Sequence, residues 1–331
     1  MRPVNFLVTL LIIFSFLFLA SLSFFFYFDK YSDQSKTVEI PRGMSLKTIS
    51  GLLEERNLIR DKKLFFAFVL LNGTHEELKA GEYEFPQGSS INDIHNILIK
   101  GSALLRGITI PEGFTVNQIA ELLEEKKILS QDKFYELANN KNYIKEKLGI
   151  EVDSLEGFLF PDTYSFNKNE SAEIVINTMI NKFYEVYNSI EKNNKLNLSL
   201  LEYVTYASII EKETGVDSER VMVSAVIKNR LERGMKLECD PTVIYALGEN
   251  YDGRLRRKHL QYISPYNTYV ITGLPKGPIA NPGKESLYAA FNPSDDDYLY
   301  FVSKGDGSHF FSNNYKTHVN AVNKFIRNKK N

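Results

Sequence analysis

The chain of 331 residues contains one cysteine and no tryptophan. The single thiol, Cys239, excludes an intrachain disulfide and a paired-cysteine metal or redox motif. The five histidines fall in no HExxH or similar ligand spacing, so we predict no metal site and no cofactor. Without tryptophan, the 19 tyrosines have to supply most of the aromatic surface that also carries a polar group.

The chain also lacks an excess of positive or negative charge, since its formal net charge is −1. Long-range attraction to nucleic acid is therefore not expected, and we predict no nucleic-acid partner. Residues 254–258 form one basic cluster, whose ordinary interpretation is a solvated loop or the start of a helix.

One long hydrophobic run is present at the N-terminus, where residues 6–28 contain no charged side chain. As a helix this run reaches about 34 Å, enough to cross a bilayer core of about 30 Å. Arg2 before the run favours a cytoplasmic N-terminus. A cleaved signal peptide is the alternative, but its apolar core is normally only about 7–15 residues long. We predict a cytoplasmic tail (1–5), a single-pass anchor (6–28) in the inner or plasma membrane, a juxtamembrane linker (29–37) and an extracytoplasmic remainder.

A Pro-x-Gly turn followed by serine or threonine occurs three times, beginning at Pro41, Pro86 and Pro111. Each turn follows a short β-like segment and precedes a helical period of apolar residues, with Ser45 and Thr115 as plausible N-caps. The sequence thus predicts strand–turn–helix units. We divide the extracytoplasmic part into a small module, 38–105, and a larger domain, 106–331. In the larger domain the periodicity predicts helices over 130–147, 171–191, 199–213, 217–234 and 315–328, and strands near 298–302 and 309–311.

Two glutamates, Glu211 and Glu213, end the predicted helix 199–213. A carboxyl group in apolar surroundings has a raised pKa and can act as a general acid near neutral pH. Positions i and i+2 point about 200° apart on a helix, so the two glutamates cannot share one task. On a helical wheel Glu211 lies on the apolar stripe, whereas Glu213 lies beside Tyr206 on a more polar one. The wheel alone favours Glu211 as the more desolvated acid.

Several polar segments of the second half place carboxylates, amides and tyrosines beside Gly and Pro turns. Such turns suit a sugar polymer, since pyranose faces stack on aromatic rings and hydroxyls bond to amides and carboxylates. Six of these segments, in this order, resemble the endolytic murein transglycosylase family, also called the YceG-like family: EGFLFPDTY (156–164), ASIIEKET (207–214), NRL (229–231), DPTVIY (240–245), YNTY (266–269) and GLP (273–275). Lys276 and Cys239 depart from the family pattern, which often has a second proline and a polar residue there.

The resemblance implies a lyase that cleaves the β-1,4 bond between N-acetylmuramic acid and N-acetylglucosamine within nascent glycan strands. The muramyl C6 hydroxyl attacks C1 and leaves a 1,6-anhydro end, so that one carboxyl group can serve as acid and then as base. In the family this is the second glutamate of Glu-Lys-Glu, which maps to Glu213. Tyr206 would then belong to a cleft wall, and Glu211 would be structural, paired with an arginine such as Arg220 or Arg230.

The resemblance also implies a fold class and partners. We predict an α+β fold with an N-terminal transmembrane helix, a small LysM-like α/β module that binds glycan, and a larger mixed α+β catalytic domain. The partners would be peptidoglycan glycan strands and a penicillin-binding glycan synthase, and the role would be to terminate glycan elongation. The predicted glycan groove is lined by five residues, each of which could instead be a scaffold residue: Glu156, Asp240, Tyr245, Asn267 and Thr268.

Two other functions stay open at this point. A non-catalytic wall-binding anchor would keep the membrane helix and the LysM-like module but need no acid. A muramidase-type hydrolase would cleave the same bond with water and normally needs two carboxyl groups.

Overall fold

The structure is a computed structural model that describes residues 3–101, 105–193 and 196–327. These residues form a mostly helical α+β protein with short strands, which confirms the predicted class at that level. The helices are α1 (Pro3–Tyr27), α2 (Leu46–Glu55), α3 (Lys62–Leu71), α4 (Ile91–Lys100), α5 (Val116–Glu125), α6 (Gln131–Ala138), α7 (Lys141–Leu148), α8 (Ala172–Ser189), α9 (Leu200–Glu213), α10 (Asp217–Glu232), α11 (Asp240–Leu247), α12 (Lys284–Phe291) and α13 (Tyr315–Val322).

The strands pair two by two into small sheets, β1 with β2, β3 with β4 and β5 with β6. The β1–β2 and β5–β6 pairs are antiparallel. The strands are β1 (Lys36–Ile40), β2 (Gly81–Phe85), β3 (Arg106–Thr109), β4 (Thr163–Phe166), β5 (Tyr300–Ser303) and β6 (His309–Ser312). Short 3-10 turns lie at Gly248–Asn250 and His259–Gln261, and a π-helical turn at Asn323–Arg327 continues α13.

The chain divides into two compact units. The first contains the described residues up to Arg106 together with Ser165–Lys168, and the second contains residues 107–164 and those from Asn169 onward. Each unit has its own buried apolar side chains, so each can be described as a packed body.

The first unit runs β1–α2–α3–β2–α4 after α1. Alternate residues of β1 and β2 face inward, so that Val38, Ile40 and Tyr83 join a core with the apolar stripes of the helices. The Ser45 side chain accepts the Thr48 N–H, which confirms the predicted cap of α2. Helix α3 was missed from the sequence, because it is apolar on nearly every face and shows no amphipathic stripe.

Helix α1 is long and apolar enough to cross a membrane over Val8–Tyr27, and it is the one such helix in the described part of the chain. The polar stretch after it does not hang free of the first unit. The Gly88 N–H donates to the Ser32 carbonyl at 2.9 Å, and both Arg60 Nε and Nη2 donate to the Asp29 carboxylate.

The second unit packs its helices around α9, which contacts α10, α11 and α12. Thr115 caps α5 in a capping box with Gln118, as predicted. The helix predicted over 130–147 is two helices, since Asn140 breaks the run and its side chain caps α7 by accepting the Tyr143 N–H. The last helix was predicted to reach Asn328, which lies outside the described residues; the α-helical part ends at Val322.

Candidate active site

Helix α9 carries both glutamates at its C-terminal end. Ser199 and Glu202 form a capping box at its start, and the helix ends where Thr214 turns extended. The helical wheel fails on this helix for a physical reason: all residues from Tyr203 to Ile210 are buried, so α9 has no solvent face to read. Tyr206, predicted to line a cleft wall, is instead fully buried with its hydroxyl 2.5 Å from the Ser224 carbonyl oxygen.

The Glu211 carboxylate is fixed by partners of opposite charge. Its side chain is only 7% exposed, and its Oε1 lies 3.4 Å from Nη1 of Arg220. Its Oε2 accepts the Gly283 N–H at 3.0 Å. The wheel predicted Glu211 on the buried side of α9, and there both of its carboxylate oxygens are engaged, one by the Arg220 guanidinium and one by the Gly283 N–H. The pairing with Arg220 was one of the two expected.

Arg220 lies at the centre of a cluster of polar groups on α10. Its guanidinium donates to Asp217 at 3.1 Å and to the Ser286 hydroxyl at 2.8 Å, and it lies 3.7 Å from a Glu112 carboxylate oxygen. Burial is the main cause that raises the pKa of Glu112. The negative charge of Glu211 also raises this pKa, whereas the positive charge of Arg220 lowers it. This cluster ties α9, α10 and α12 together and is a structural element.

The Glu213 side chain faces a different environment, a cavity of about 270 Å³. The cavity combines the end of α9 with α10, the start of α11, β5 and α13. Its lining residues are Glu213, Arg230, Leu237, Glu238, Cys239, Asp240, Tyr269, Phe301 and His318.

The pKa of Glu213 is raised to about 7. Burial of the carboxyl is the main cause, and the negative charge of Asp240 adds to it. A hydrogen bond from the Cys239 thiol and the positive charge of Arg230 act in the opposite direction. The residue as a whole is partly exposed, so the enclosed carboxyl remains accessible from the cavity. A carboxyl group with this pKa can both give and take a proton near neutral pH.

The turn before α11 positions Cys239 and Asp240 in this cavity. The Cys239 N–H donates to the Thr268 hydroxyl at 2.9 Å, and the Tyr269 hydroxyl donates to the Asp240 carboxylate at 2.6 Å. Burial and the neighbouring Glu213 raise the pKa of the Cys239 thiol well above its usual value, so it is a neutral donor rather than a thiolate.

Asn267 and Thr268, two of the predicted groove residues, are both fully buried. The Asn267 amide donates to the Leu260 and Tyr262 carbonyl groups, and Thr268 bonds to the Thr242 hydroxyl at 2.9 Å. They hold the loop that carries Tyr269, and their positions fit support of the site rather than contact with a ligand.

Glu156 and Tyr245, two further predicted groove residues, meet at another place in the second unit. The Glu156 carboxyl group accepts hydrogen bonds from the Val116 N–H at 3.2 Å, the Asn281 amide at 3.1 Å and the Tyr245 hydroxyl at 3.2 Å. Burial raises the pKa of Glu156 to about 8, although the Val116 N–H, the Tyr245 hydroxyl and the charge of Lys212 act to lower it. The predicted residues are therefore divided: Asp240 lies with Glu213, whereas Glu156 and Tyr245 lie apart from that cavity.

Glu156 lines a second and larger cavity of about 690 Å³. Its rim is rich in charge of both signs, with Lys141 2.8 Å from Asp153 and Lys276 also paired to Asp153. Tyr266 adds an aromatic wall, with its ring centroid 5.0 Å from that of Tyr245. Charged side chains and the Tyr266 ring thus line this cavity.

Gly157 follows Glu156 at a position where only glycine fits. Its φ is +88°, and the surrounding atoms leave no room for a side chain. A Cβ there would lie 2.6 Å from Pro278 and 2.7 Å from Val204. We expect Gly157→Ala to lose about 1–3 kcal/mol of folding free energy through overpacking, in addition to the strain of the left-handed backbone. Gly149→Ala is the matched control, since φ is +69° and nothing lies within 4 Å. Equal losses in denaturant unfolding of the two variants would contradict this account.

Arg230, Tyr269, Phe301 and His318 complete the Glu213 cavity but were not among the predicted site residues. Arg230 and Tyr269 fall within the sequence motifs, so the motifs could have identified them as site residues. Phe301 and His318 come from β5 and α13, far away in sequence, and no local signal marks them. The His318 Nδ1 atom is buried with no hydrogen-bond partner in the described part of the chain, and burial lowers the pKa of this ring. No cluster of three metal-ligating side chains occurs among residues 3–101, 105–193 and 196–327.

A sequence profile of the YceG-like family matches residues 38–324. The chain belongs to the YceG-like family. This confirms the resemblance found in the sequence motifs, and it places both cavities inside the region that the family shares.

Relatives from two species carry the name endolytic murein transglycosylase. One, from Bacillus subtilis (strain 168), is 34% identical over 319 residues, which cover 91% of this chain and 88% of that protein. The other, from Streptococcus pneumoniae (strain ATCC BAA-255 / R6), is 30% identical over 336 residues, covering 92% of this chain and 60% of that protein. The crystal structure of a yceG-like protein from Listeria monocytogenes has a TM-score of 0.59 and 33% identity, covering 87% of this chain and 99% of that one.

Proposed function

We propose that this YceG-like protein is an endolytic peptidoglycan lytic transglycosylase with Glu213 as its acid and base. The observation that carries the proposal is the enclosed Glu213 carboxyl, whose pKa is raised to about 7 at the wall of a cavity. Two relatives that share about nine-tenths of the chain and bear this activity in their name support the reaction class.

The reaction needs no water in this proposal. The protonated Glu213 donates to the oxygen that links N-acetylmuramic acid to N-acetylglucosamine, and the bond from that oxygen to muramyl C1 breaks. The muramyl C6 hydroxyl forms the new bond to C1, and its proton passes to the Glu213 carboxylate. The products are a free GlcNAc 4-hydroxyl and a 1,6-anhydro end, and Glu213 is protonated again.

The other groups of the Glu213 cavity have roles in this scheme. Positive charge develops at C1 in the oxocarbenium-like transition state. The Asp240 carboxylate would stabilise that charge, and the Tyr269 hydroxyl fixes Asp240 in place at 2.6 Å. Asp240 also helps keep Glu213 protonated before the reaction, since its charge raises the Glu213 pKa.

Glu156, held by the Tyr245 hydroxyl, would bind more distant sugars of the strand at the larger cavity, where Tyr266 offers a face for stacking. Asn267 and Thr268 would position the loop of Tyr269 from within the core. An endolytic enzyme has to hold glycan on both sides of the bond it cleaves, which a single cavity of about 270 Å³ would not do.

Helix α1 would anchor the protein in the inner or plasma membrane, as its length and apolar surface support. Arg2 before the run would keep the N-terminus in the cytoplasm. A catalytic region held close to the membrane would meet nascent strands where a penicillin-binding synthase makes them, and would terminate their elongation. Residues 38–105, which belong to a unit with its own core, would form a LysM-like glycan-binding module.

Asp240 also supports a second candidate, a muramidase-type hydrolase. The Glu213 cavity holds the carboxyl groups of Glu213, Glu238 and Asp240, and such an enzyme uses two, one as acid and one to activate water or attack C1. The engagement of Asp240 by the Tyr269 hydroxyl favours a fixed electrostatic role instead.

Incubating the full chain, solubilised in detergent, with purified glycan strands tests whether the protein is a catalyst. We expect internal cleavage, seen as a rapid fall in strand length by size-exclusion chromatography. Retention of the protein on insoluble peptidoglycan with no shortening of the strands would identify a non-catalytic wall-binding anchor and would contradict the proposal.

The pH dependence follows from the need for a protonated Glu213. With a pKa of about 7, kcat/KM should be level below that pH and fall about tenfold per unit above it. Cys239→Ala removes a donor that lowers this pKa, so the falling limb should move to higher pH. Cys239→Ser keeps a hydroxyl donor and should move it less. A limb that stays in place in both variants would show that the thiol does not tune Glu213.

A further inference from the structure

Helix α3 exposes apolar side chains on the face that should be polar. Its buried face holds Phe65, Phe68 and Val69. Opposite that face, Phe66 is 36% exposed, Leu70 47% and Leu71 72%. A surface helix of a globular protein normally carries polar residues on its outer face, and a helix that is apolar all round is normally covered. Something other than water should therefore lie against this face.

The position of α3 in the first unit indicates what covers it. The last turn of α1 packs directly on α3, with the Phe26 and Phe68 ring centroids 4.8 Å apart and those of Tyr27 and Phe68 6.0 Å apart. Phe26 is only 6% exposed, so α1 joins the core of this unit instead of ending in a free tether. If α1 spans a bilayer, the part of α3 around Phe68 lies beside the end of the spanning segment.

The exposed apolar surface also continues from one helix to the other. At the end of α1 nearest α3, Phe24 is 56% exposed, and Phe28, just after the helix, is 68% exposed. At the other end of α3, Lys63 is exposed and α3 contains no acidic residue. In this arrangement the apolar side chains of α3 would contact acyl chains, and Lys63 would contact anionic headgroups. Membrane-surface helices lie at this boundary, with their apolar face about 5–10 Å deep.

The polar stretch after α1 holds this arrangement in place. Arg60, just before α3, is bonded to Asp29 at 3.1 Å and its guanidinium lies 5.3 Å from the Tyr31 ring centroid. The segment between the two helices is thereby fixed at both ends, so α3 cannot swing far from the point where α1 leaves the bilayer.

We propose that the face of α3 formed by Phe66, Leu70 and Leu71 docks into the lipid surface beside α1 and seats the first unit on the membrane. The proposal rests on α1 being a membrane anchor, as put forward above. The first unit would then be held rigidly at the membrane surface instead of being connected to α1 by a flexible linker. This would limit the distance from the membrane at which that unit can bind glycan.

The absence of tryptophan from the chain allows a direct test, because any introduced tryptophan is the only one. The full chain is reconstituted in phosphatidylcholine and phosphatidylglycerol vesicles that carry bromine either near the headgroup or near the bilayer centre. Three variants are compared: Leu71→Trp on the proposed face, Phe14→Trp within α1, and Lys47→Trp at an exposed position of α2. Phe66→Trp, a milder aromatic exchange, replaces Leu71→Trp if that variant does not fold.

We expect shallow bromines to quench Trp emission most strongly in Leu71→Trp, deep bromines to do so in Phe14→Trp, and neither to do so in Lys47→Trp. Quenching in Phe14→Trp with full access of aqueous iodide in Leu71→Trp would overturn the docking proposal and leave the anchor standing. Protection of Leu71→Trp from iodide without lipid quenching would identify a second copy of the chain as the occupant and would also overturn it. No quenching in Phe14→Trp would show that the anchor itself is wrong.

Discussion

Glu213→Gln should lose glycan cleavage by about 10²–10⁴-fold or more, because both proton transfers of the proposed reaction pass through this one carboxyl group. Glutamine has nearly the same size and fits the same cavity, but it cannot release or accept a proton at neutral pH. The loss should appear in kcat, measured as anhydro-ended products released per enzyme, while binding of glycan strands is retained. Circular dichroism and thermal unfolding should match the unchanged protein.

Glu211→Gln is the matched control on the same turn of α9. Glu211 is 7% exposed and bound to Arg220, so its exchange should lower the free energy of unfolding and leave kcat of the folded protein near its original value. The two glutamine variants should therefore show opposite phenotypes, one active but less stable, the other stable but inactive. Full activity of Glu213→Gln, or loss of kcat confined to Glu211→Gln, would overturn the assignment.

Arg220→Met should be the most destabilising single exchange that we predict, at about 3–5 kcal/mol of unfolding free energy. The exchange leaves the Glu211 carboxylate buried without its guanidinium, and it removes the bond to the Ser286 hydroxyl. Chemical denaturation of the full chain in detergent measures the loss. Lys228→Met on the same helix breaks only the pair with Glu232, whose side chain is 47% exposed, and should cost about 1 kcal/mol or less.

The double variant Arg220→Met/Glu211→Gln separates the charge from the packing. Replacing both members of a buried pair by neutral groups is often nearly neutral, so it should recover much of the stability that Arg220→Met loses. A double variant as unstable as Arg220→Met would mean that the cost comes from lost packing around α10 and that the ion pair contributes little.

Much of the fold follows from local signals in the sequence. Ser45 and Thr115 mark helix starts through short-range caps, and the structure contains the bonds that they predict. Helix α3 was not predicted because it lacks the amphipathic pattern that marks a surface helix. Its apolar faces are instead covered by tertiary contacts and, as we propose, by the membrane. The split between α6 and α7 escaped because one asparagine cap interrupts an otherwise continuous period.

The site could be predicted only in part. A wheel drawn for α9 ranks the two glutamates by expected burial, whereas their chemistry depends on what surrounds each carboxyl: a guanidinium at Glu211, and a cavity with Asp240 at Glu213. Those surroundings are built from α10, α11, β5 and α13, which are far apart in the chain. The motif order led to Glu213 where periodicity led to Glu211, and the raised pKa of Glu213 gives that proposal a physical basis.

The central claim is that one carboxyl group cleaves the glycan without water, and cleavage in ¹⁸O-labelled water tests it most directly. Mass spectrometry of the muramyl ends should show 1,6-anhydro species, lighter than the reducing ends by one water and free of the label. The Asp240→Asn variant should give the same 1,6-anhydro products at a reduced rate. Reducing ends that carry ¹⁸O would contradict the account and identify a hydrolase.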